Sequence, residues 1–450
     1  MNNSVLLPIM IFFLLVISIF YGNSIPGILL VILNFILLLG YYFNRRKFKS
    51  IFSPISITYI AVLLSFIIKG IYIIDTEKFE LGLLIYPYFY IIIFISAFLI
   101  SFTLSSDTKL IKQYIKISNR SILPLKRLKK ALSMLMLLAC FLFITKLGIS
   151  NIGSVFQNVL GNRILFQNDG GLYTQTIILV LLQSSLYIFI IAIFENYGRF
   201  KISLFLIGTI FLNILIPMTL GGRGMIFTPI IMTVFIITTY SKKTNYLFLF
   251  LLGIVIILFS GWYGMFRDGI VDSTVGTSDL IKNVLDRYVQ LDNLIRLVNS
   301  PVDFPFGKSF IDFLYSPFPR SIFPDKPYNF NSQMTQIYLP LQFQNKIVSD
   351  FTAIGELLIN FKFLGVLFGG FFFGKVIDIF NRFFIYDNSR FFYLWYPFMM
   401  LKPMSLLYGG LINSTVNMMI LLETPIIICI WLLISKKSRV ENEELSVYHS

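Results

Sequence analysis

The residues most able to do chemistry in this sequence are the cations and carboxylates of one long polar segment, 266–352. The segment holds eight lysines and arginines and nine aspartates, in a chain that is 56% hydrophobic. Arg320 and Lys326 lie in the run PRSIFPDKP, whose prolines restrict the backbone and hold the cations at low entropic cost. Arginine suits bidentate recognition of phosphate, and lysine acts as a point charge. The run is therefore a candidate phosphate site, with Asp325 as an alternative partner for either cation.

A second set of candidate cations lies beside the apolar runs. Arg223 lies in the turn LGGRG, where glycines let a ligand approach the backbone and consecutive N–H groups can hold an anion. Arg163, in GNRILFQNDGG, and Arg267, at the end of an apolar run, are weaker candidates of the same kind. The alternatives are a snorkelling arginine at Arg223 and a pair of Arg267 with its neighbour Asp268.

Two carboxylates could act as a base, Asp350 and Glu356, in the stretch SDFTAIGELLINF where the polar segment returns to apolar sequence. A glutamate one turn into an apolar span is costly unless it faces a cavity or a partner. A poorly solvated carboxylate suits a general base, and a pair with a cation such as Arg320 is the alternative. Further along the chain, Lys402 and Glu423 are expected to form a structural ion pair within their spans.

Nothing in the sequence favours a metal or a cofactor. The single histidine is His449, and the two cysteines, Cys140 and Cys429, lie in apolar runs. An Asp-x-Glu pair at 75–77 lies in a very short turn, and the chain has no GxGxxG fingerprint and no P-loop. We therefore expect neither a disulfide framework nor histidine-based catalysis, and chemistry that needs no metal and no cofactor.

The rest of the chain predicts an all-α integral membrane protein. Only 13% of its residues are charged, against about 25% in soluble domains, and apolar runs recur at roughly the 20-residue length that crosses the hydrocarbon. We expect a single membrane domain over 1–450. Its twelve predicted transmembrane helices are 5–21, 25–43, 54–74, 83–104, 131–147, 173–194, 202–220, 225–240, 246–265, 353–379, 392–410 and 415–434.

The basic residues set the predicted orientation of these spans. Of the 37 lysines and arginines, 21 lie in links after even-numbered spans, at 45–49, 109–130, 199–201, 242–243, 382–390 and 436–439. Lysine and arginine near span ends favour the cytoplasmic side. Both termini are therefore predicted to be cytoplasmic, and the links 148–172, 220–224 and 266–352 extracytoplasmic. The same bias explains the net charge of +15 without a nucleic-acid partner.

Within the extracytoplasmic loop 266–352, between spans nine and ten, two patterns point to the membrane. Apolar residues spaced three and four apart from 279 to 298 predict an amphipathic helix lying on the membrane or on the helix bundle. Interleaved aromatic rings could stack on sugar rings or a lipid tail, or anchor the loop at the interface, so membrane lipids are expected partners. These rings are Phe310, Phe313, Tyr315, Phe318, Phe323, Tyr328 and Phe330.

Three stretches, in order, resemble the Wzy-type oligosaccharide repeat-unit polymerases, the O-antigen and capsule polymerases of bacteria. They are PMTLGGRGMIFTPI, then FGKSFIDFLYSPFPRSIFPDKP, then SDFTAIGELLINFKFLGVLFGGFFFG. The last resembles the family pattern G-E-x-x-x-N-F-x-x-x-G at Gly355, Glu356, Asn360, Phe361 and Gly365. The resemblance covers most of the chain as topology, and about 150 to 365 as motif.

The resemblance implies a glycosyltransferase of the bacterial cytoplasmic (inner) membrane. It would move a growing glycan from one undecaprenyl diphosphate onto the sugar end of another lipid-linked repeat unit, at the outer face of the membrane, in O-antigen (lipopolysaccharide) or capsule biosynthesis. A chain-length regulator is a further partner that the sequence does not identify. A lipid diphosphate is a good leaving group that needs only cations near its oxygens. The candidate diphosphate-binding residues are Arg223, Arg320, Lys326, Arg163 and Arg267, and the candidate catalytic carboxylates are Glu356 and Asp350.

Three alternatives remain open on the sequence. A flippase for lipid-linked oligosaccharides would share the spans and cations, although so long an outer loop exceeds what gating requires. A secondary transporter would favour interrupted helices with polar groups at the midplane, to which only the regions around Lys402 and Glu423 correspond. An O-antigen ligase is disfavoured because no histidine lies in the predicted outer loops.

Overall fold

The computed structural model describes residues 6–104, 121–148, 161–162, 166, 171–220, 223–241, 246–267, 276–315, 318, 323–345, 347–387, 389–412 and 414–436. Strand pairing in these residues is limited to β1 (Ser121–Ile122), which is antiparallel to β2 (Ser435–Lys436). The helices are α1 (Leu6–Phe20), α2 (Ile25–Asn44), α3 (Pro54–Asp75), α4 (Ile85–Leu104), α5 (Leu125–Leu147), α6 (Gly171–Tyr197), α7 (Leu204–Thr219), α8 (Arg223–Ser241), α9 (Tyr246–Arg267), α10 (Thr277–Arg287), α11 (Gln290–Asn299), α12 (Lys308–Leu314), α13 (Phe330–Tyr338), α14 (Pro340–Gln344), α15 (Ala353–Tyr386), α16 (Arg390–Met400), α17 (Lys402–Gly409) and α18 (Ser414–Ile434).

The apolar helices make this chain a helical membrane protein. Six helices of the described part are long and apolar enough to cross a bilayer: Ile25–Asn44, Pro54–Asp75, Leu81–Leu104, Leu125–Leu147, Tyr173–Tyr197 and Ala353–Tyr386. Five further apolar helices are shorter: Leu7–Phe20, Leu204–Thr219, Met225–Tyr240, Leu251–Met265 and Ile420–Ile434. The predicted number of twelve spans and their orientation stay predictions.

The sequence predicts one straight span over 353–379, but helix α15 is sharply bent within this range. The backbone of Lys362 leaves the helical region, with φ 57° and ψ −148°, and divides α15 into a short arm, 353–361, and a long arm, 363–386. A Cβ on Gly369 would collide with the side chain of Leu357, whereas residues twelve apart in a straight helix are about 18 Å apart. The two arms therefore fold back on each other. The long arm alone is about 36 Å long and can cross a bilayer.

Two other predicted helices are also interrupted. The span predicted at 392–410 is divided at Leu401 into α16 and α17, and Pro403 follows in the first turn of α17. The amphipathic helix predicted at 279–298 is two helices, α10 and α11, and the backbone of Tyr288 between them is not helical (ψ 75°). Most of α11 is buried against the helix bundle. Of the two predicted locations for this helix, the membrane surface and the bundle, the structure therefore shows the bundle.

The buried apolar residues form two clusters. The first joins α1 to α4 with α11, α13, α17 and both arms of α15. The second joins α5 to α8 with α16 and α18. The residues of the G-E-x-x-x-N-F-x-x-x-G pattern lie on the short arm of α15 and at the start of its long arm, among the elements of the first cluster, which also buries the loop helices α11 and α13.

Close packing of α4 against the long arm of α15 depends on glycine. A Cβ on Gly370 would lie 2.5 Å from the carbonyl oxygen of Phe94. A Cβ on Gly374 would collide with the carbonyl oxygen of Phe98. Small residues four apart let two membrane helices approach at backbone distance, where van der Waals contact stabilises them. Because Gly370 lies beside Phe94 and Gly374 beside Phe98, the two helices run parallel.

Polar contacts join several helix ends at one end of the bundle. Lys47, after α2, lies 3.1 Å from the carboxylate of Asp378, which also pairs with Arg382 at 2.6 Å. The pairing of β1 with β2 joins the segment before α5 to the end of α18. Arg390, at the start of α16, pairs with Glu195 near the end of α6. These segments flank the links predicted to be cytoplasmic, and the side of the membrane that they face stays a prediction.

We expect Gly370→Ala to lower the melting temperature in detergent, because its methyl group meets backbone rather than a mobile side chain. Overpacking of this kind costs roughly 1–3 kcal/mol. The matched control is Gly208→Ala in α7, where a Cβ would meet nothing within 4 Å. Equal melting temperatures for the two variants would contradict the close contact of α4 with α15.

Thiol labelling tests the predicted orientation. Lys126 in α5 and Asn345 after α14 are both exposed, and the predicted topology places them on opposite sides of the membrane. In intact cells an impermeant thiol reagent should label Asn345→Cys and leave Lys126→Cys unlabelled until the cells are opened. Labelling of both from outside would show that the assigned orientation is wrong.

Candidate functional site

The short arm of α15 begins at a backbone contact with the end of α17. The amide of Thr352 donates to the carbonyl of Tyr408 at 2.9 Å. The Thr352 hydroxyl then accepts from the amide of Gly355 at 3.0 Å and caps the first turn. This N-cap satisfies an amide that would otherwise be unpaired in a buried setting, and it fixes the next residue, Glu356, beside the turn that follows α17.

The side chain of Glu356 is 0% exposed and joins three segments of the chain. Its Oε1 accepts from the hydroxyl of Ser309 in α12 at 3.0 Å. Its Oε2 accepts from the amide of Ile412 at 3.0 Å, and the amide of Leu411 is a further backbone donor. The short arm of α15, the loop helix α12 and the turn 410–412 therefore meet at this one carboxylate, which we call the Glu356 junction.

Asn360 holds Ser309 in place at the junction. Its Nδ2 donates to the Ser309 hydroxyl at 3.0 Å and to the carbonyl of Glu356 at 2.7 Å. Its Oδ1 accepts from the amide of Ser309 at 3.2 Å. Because both the amide and the hydroxyl of Ser309 are bonded, that hydroxyl is directed at the carboxylate rather than free to rotate.

Glycine is required at position 410 for two reasons. Gly410 has φ 107°, which side-chain-bearing residues rarely adopt. A Cβ there would also lie 2.7 Å from Oε2 of Glu356. The bare backbone lets the turn close over the carboxylate so that the amide of Ile412 can reach it.

The remaining motif residues close the fold of α15. The ring of Phe361 packs on Phe306 and Phe310, with centroid distances of 4.8 and 5.0 Å. A Cβ on Gly365 would lie 2.5 Å from the carbonyl of Leu357, so glycine is needed where the two arms meet. Gly355, by contrast, has ordinary contact distances, 3.4 Å at the nearest, around an added Cβ. Four of the five motif residues thus have a defined structural role.

Asp350 lies close to the same turn but is only partly buried. Its Oδ1 accepts from Nδ2 of Asn331 at 3.2 Å, and the same Nδ2 donates to the carbonyl of Gly409 at 2.8 Å. Burial raises the pKa of Asp350 from its ordinary 3.8 to about 6. A carboxyl with a pKa near the working pH is suited to taking up and releasing a proton.

Of the five predicted diphosphate-binding cations, Lys326 is the one whose side chain lies in the described part of the chain. Arg163 and Arg320 lie outside the described residues. Arg223 is the first residue of α8 and Arg267 the last of α9, and the side chains of both lie outside the described part. Lys326 donates to the carbonyl of Phe318 at 3.0 Å, in the loop that carries it.

The surroundings of three of these arginines nevertheless converge. Asn162 donates to the carbonyl of Thr219 at 3.4 Å, just before the LGGRG turn. The hydroxyl of Tyr263, one turn before the end of α9, donates to the carbonyl of Met218 at 2.6 Å. Asn162 and Tyr263, which are near Arg163 and Arg267 in sequence, thus both bond the backbone shortly before Arg223.

A buried charge cluster that the sequence pattern does not reveal holds the loop helices. Lys69 is fully buried, directly after a π-helical turn of α3. Its Nζ donates to the carbonyl of Leu285 at 2.9 Å and lies 3.4 Å from Asp292. Lys78 pairs with the same Asp292 carboxylate at 2.8 Å. Buried charges must be paired, so the cluster fixes α10 and α11 on α3, and no sequence pattern connects residues so far apart.

Two other chemical predictions can be compared with contacts. Lys402 and Glu423 form the predicted ion pair, with Nζ 2.9 Å from Oε2, which confirms that interpretation. In the part of the chain that the structure describes, no group of three or more His, Cys, Asp or Glu side chains is arranged to hold a metal ion.

The raised pKa of Asp350 predicts a pH-dependent stability. Between pH 4 and pH 6 the folded protein binds more protons at this site than the unfolded chain, so the contribution of Asp350 to stability falls as the pH rises. Asp350→Asn keeps an oxygen for Asn331 and should stabilise the protein by up to roughly 3 kcal/mol above pH 6, with little effect at pH 4. Melting temperatures of both proteins from pH 4 to 8 measure this. A difference that is constant with pH would contradict it.

Comparisons of the chain with protein-family models, with curated proteins and with solved structures gave no match. The similarity to the Wzy-type polymerases therefore rests on the three sequence stretches and the predicted topology, which include the residues of the G-E-x-x-x-N-F-x-x-x-G pattern. What the contacts add is a location for those residues, because Glu356, Asn360, Phe361 and Gly365 all lie at or beside the Glu356 junction.

Proposed function

We propose that this protein polymerises lipid-linked oligosaccharide repeat units at the outer face of a bacterial cytoplasmic membrane. The reaction would break the bond between the anomeric carbon of the donor glycan and its undecaprenyl diphosphate. A new glycosidic bond would form to a hydroxyl of the acceptor repeat unit, whose proton passes to a carboxylate. Undecaprenyl diphosphate leaves, and no metal or cofactor takes part.

The observation that carries the proposal is the Glu356 junction. The motif that resembles the polymerases is concentrated around one carboxylate, at the point where the long loop returns to the helices. The proposed transfer requires a carboxylate to take the proton of the acceptor hydroxyl, and beside it a polar segment large enough to hold a glycan. The loop 266–352 meets the second requirement, and α12 of that loop is bonded directly to Glu356.

In this proposal the cations bind the diphosphate. Arg223 and Arg320 would hold the diphosphate oxygens, assisted by Lys326, Arg163 and Arg267. Fixed cations stabilise the charge that develops on the leaving diphosphate and need little reorganisation during the reaction. The convergence of Asn162, Thr219 and Tyr263 supports a shared role for three of these arginines. Arg320 and Lys326 would reach the donor from the proline-rich part of the loop.

Glu356 and Asp350 are the two candidates for the proton acceptor. The junction leaves both oxygens of Glu356 hydrogen-bonded and buried, so an acceptor hydroxyl can reach it only if α12 or the turn 410–412 moves aside. Asp350 is partly exposed, and burial raises its pKa to about 6, so it is the less enclosed of the two carboxylates. We retain Glu356 as the proposed base, with opening of the junction as a required step, and Asp350 as the alternative base.

Transport is the second candidate function, and one observation favours it. The buried pair of Lys402 with Glu423 lies beside the interruption of the helical path at Leu401. Interrupted helices with polar groups in the membrane are typical of secondary transporters. A lipid-linked oligosaccharide flippase would use the same features. An O-antigen ligase fits less well, since the predicted outer loops carry no histidine.

The phenotype of a strain that lacks the protein separates these functions. Loss of a polymerase should leave surface glycans of a single repeat unit, because export and attachment are done by other proteins. Loss of a flippase should leave lipid-linked units on the cytoplasmic leaflet and no surface glycan. No change in either would point to small-molecule transport and contradict the proposal.

Variants returned to that strain test the cations. Arg223→Ala and Arg320→Ala should each abolish polymer while the protein is still found in the membrane at normal levels. Arg→Lys at either position should restore little, because a point charge does not reproduce the bidentate geometry of the guanidinium. A normal amount of polymer from Arg223→Ala would mean that Arg223 only anchors a helix end at the membrane interface and does not bind the diphosphate.

Purified protein with lipid-linked repeat units tests the base. Glu356→Gln should retain substrate binding and lose most turnover. The same change also disturbs the junction, because its amide group would face donors. Ser309→Ala is the matched control, since it weakens the junction and leaves the carboxylate.

The two variants together distinguish chemistry from positioning. A much larger loss of turnover in Glu356→Gln than in Ser309→Ala is the result expected of a base. Equal losses would make Glu356 a positioning residue. Near-normal turnover in Glu356→Gln together with a large loss in Asp350→Asn would assign the base to Asp350.

A further inference from the structure

The loop helix α12 has two faces of opposite character. Ser309 is buried and bonds Glu356, whereas Ile311 and Leu314 are 57% and 68% exposed. Phe306, just before the helix, is 78% exposed. Three large apolar side chains around one short helix form a surface that water solvates poorly, and clusters of this kind mark an interaction site.

The parallel packing of α4 and α15 shows where the bilayer boundary lies relative to this helix. Gly370 is level with Phe94, so Lys362, eight residues before Gly370, is level with Tyr86, eight before Phe94. Lys362 is exposed, and so is Tyr86, at 63%. Tyrosine and lysine at span ends are typical of the membrane interface. This pair marks a boundary level at the fold of α15.

The opposite end of the long arm gives an independent estimate of depth. Asp378 pairs there with Lys47 and Arg382, a charged group that belongs at the other boundary. From Lys362 to Asp378 the helix rises about 24 Å, whereas the hydrocarbon core is about 30 Å thick. Lys362 therefore lies at the hydrocarbon boundary or slightly inside it, not in the water above.

Ring contacts place α12 at that same level. Phe361, the residue before Lys362, packs on Phe306 and on Phe310 in α12. Immediately after the fold, Phe363 and Leu364 are exposed on the long arm. The exposed apolar side chains of α12 and those at the start of the long arm therefore lie on either side of Phe361, close to the same level.

We propose that α12 is an interfacial helix whose exposed face, Phe306, Ile311 and Leu314, lies among lipid acyl chains of the bilayer. Bulk membrane lipid, and not a protein partner, covers this face of α12. Lys308 pairs with Asp312 at 2.7 Å, which reduces the cost of holding both at the boundary. One helix thus has lipid on one face and the Glu356 junction on the other. The position of α12 follows from depth and exposure and does not depend on which reaction the protein performs.

The test is a spin-label accessibility measurement on the full chain in lipid nanodiscs. In a Cys140→Ser, Cys429→Ser background, nitroxides are attached at Ile311→Cys and at Leu314→Cys. Reference labels are placed at Phe368→Cys, an exposed residue of the long arm, and at Glu80→Cys, an exposed residue before α4. Collision rates are measured with oxygen, which concentrates in the bilayer, and with a water-soluble nickel chelate.

The ratio of oxygen to nickel collision rates at Ile311 and Leu314 should be closer to that at Phe368 than to that at Glu80. A ratio close to that at Glu80 would place this face in water and overturn the proposal. Low collision rates with both reagents would mean that protein, such as a second copy of the chain, covers the face, and would overturn it equally. Because the labelled residues are exposed, the labelled variants should fold as the Cys140→Ser, Cys429→Ser background does, which their melting temperatures check.

Discussion

The burial of the Glu356 carboxylate is the constraint on which the first cluster depends. Taking a carboxylate out of water costs several kcal/mol unless donors replace the lost solvent. Here the donors come from parts of the chain that are distant in sequence: a hydroxyl from α12 and amides from the turn 410–412. Each of these segments must therefore be in place for the others to be stable. The junction makes the loop 266–352 an integral part of the helix bundle.

The glycines follow from the same constraint. The short arm can present Glu356 to α12 only because the chain reverses at Lys362, and the reversal brings Gly365 onto the backbone of Leu357. The long arm must then pack at backbone distance on α4 through Gly370. On the other side of the carboxylate, Gly410 lets the turn after α17 close over Oε2. These three glycines contact three different partners: the backbone of Leu357, the backbone of α4 and the carboxylate of Glu356.

Sequence reasoning identified the membrane class, the motif residues Glu356 and Asn360, and the pair of Lys402 with Glu423. The membrane class could be predicted because hydropathy depends only on the length and composition of the apolar runs. The charged residues could be identified because a charge inside an apolar run is easily recognised. It did not identify the fold at Lys362, since a non-glycine residue with positive φ leaves no mark in an apolar pattern.

The partners in the buried contacts were also inaccessible to the sequence. Ser309 contacts Glu356 from 47 residues away, and Lys69 contacts Asp292 across more than two hundred. Such pairs are selected by packing of the whole bundle and have no local spacing to detect. The same holds for Gly410, whose need for glycine comes from a carboxylate on another helix.

A double-mutant cycle between Ser309→Ala and Glu356→Gln, read as the free energy of unfolding in SDS, tests the junction most directly. Hydrogen bonds to charged groups contribute roughly 1.5–3 kcal/mol. The double variant should be less destabilised than the sum of the single variants, with a coupling energy of about 1 kcal/mol or more. Additivity within about 0.3–0.5 kcal/mol, as found for distant independent sites, would contradict the claim that the Glu356 junction holds α12 to the bundle.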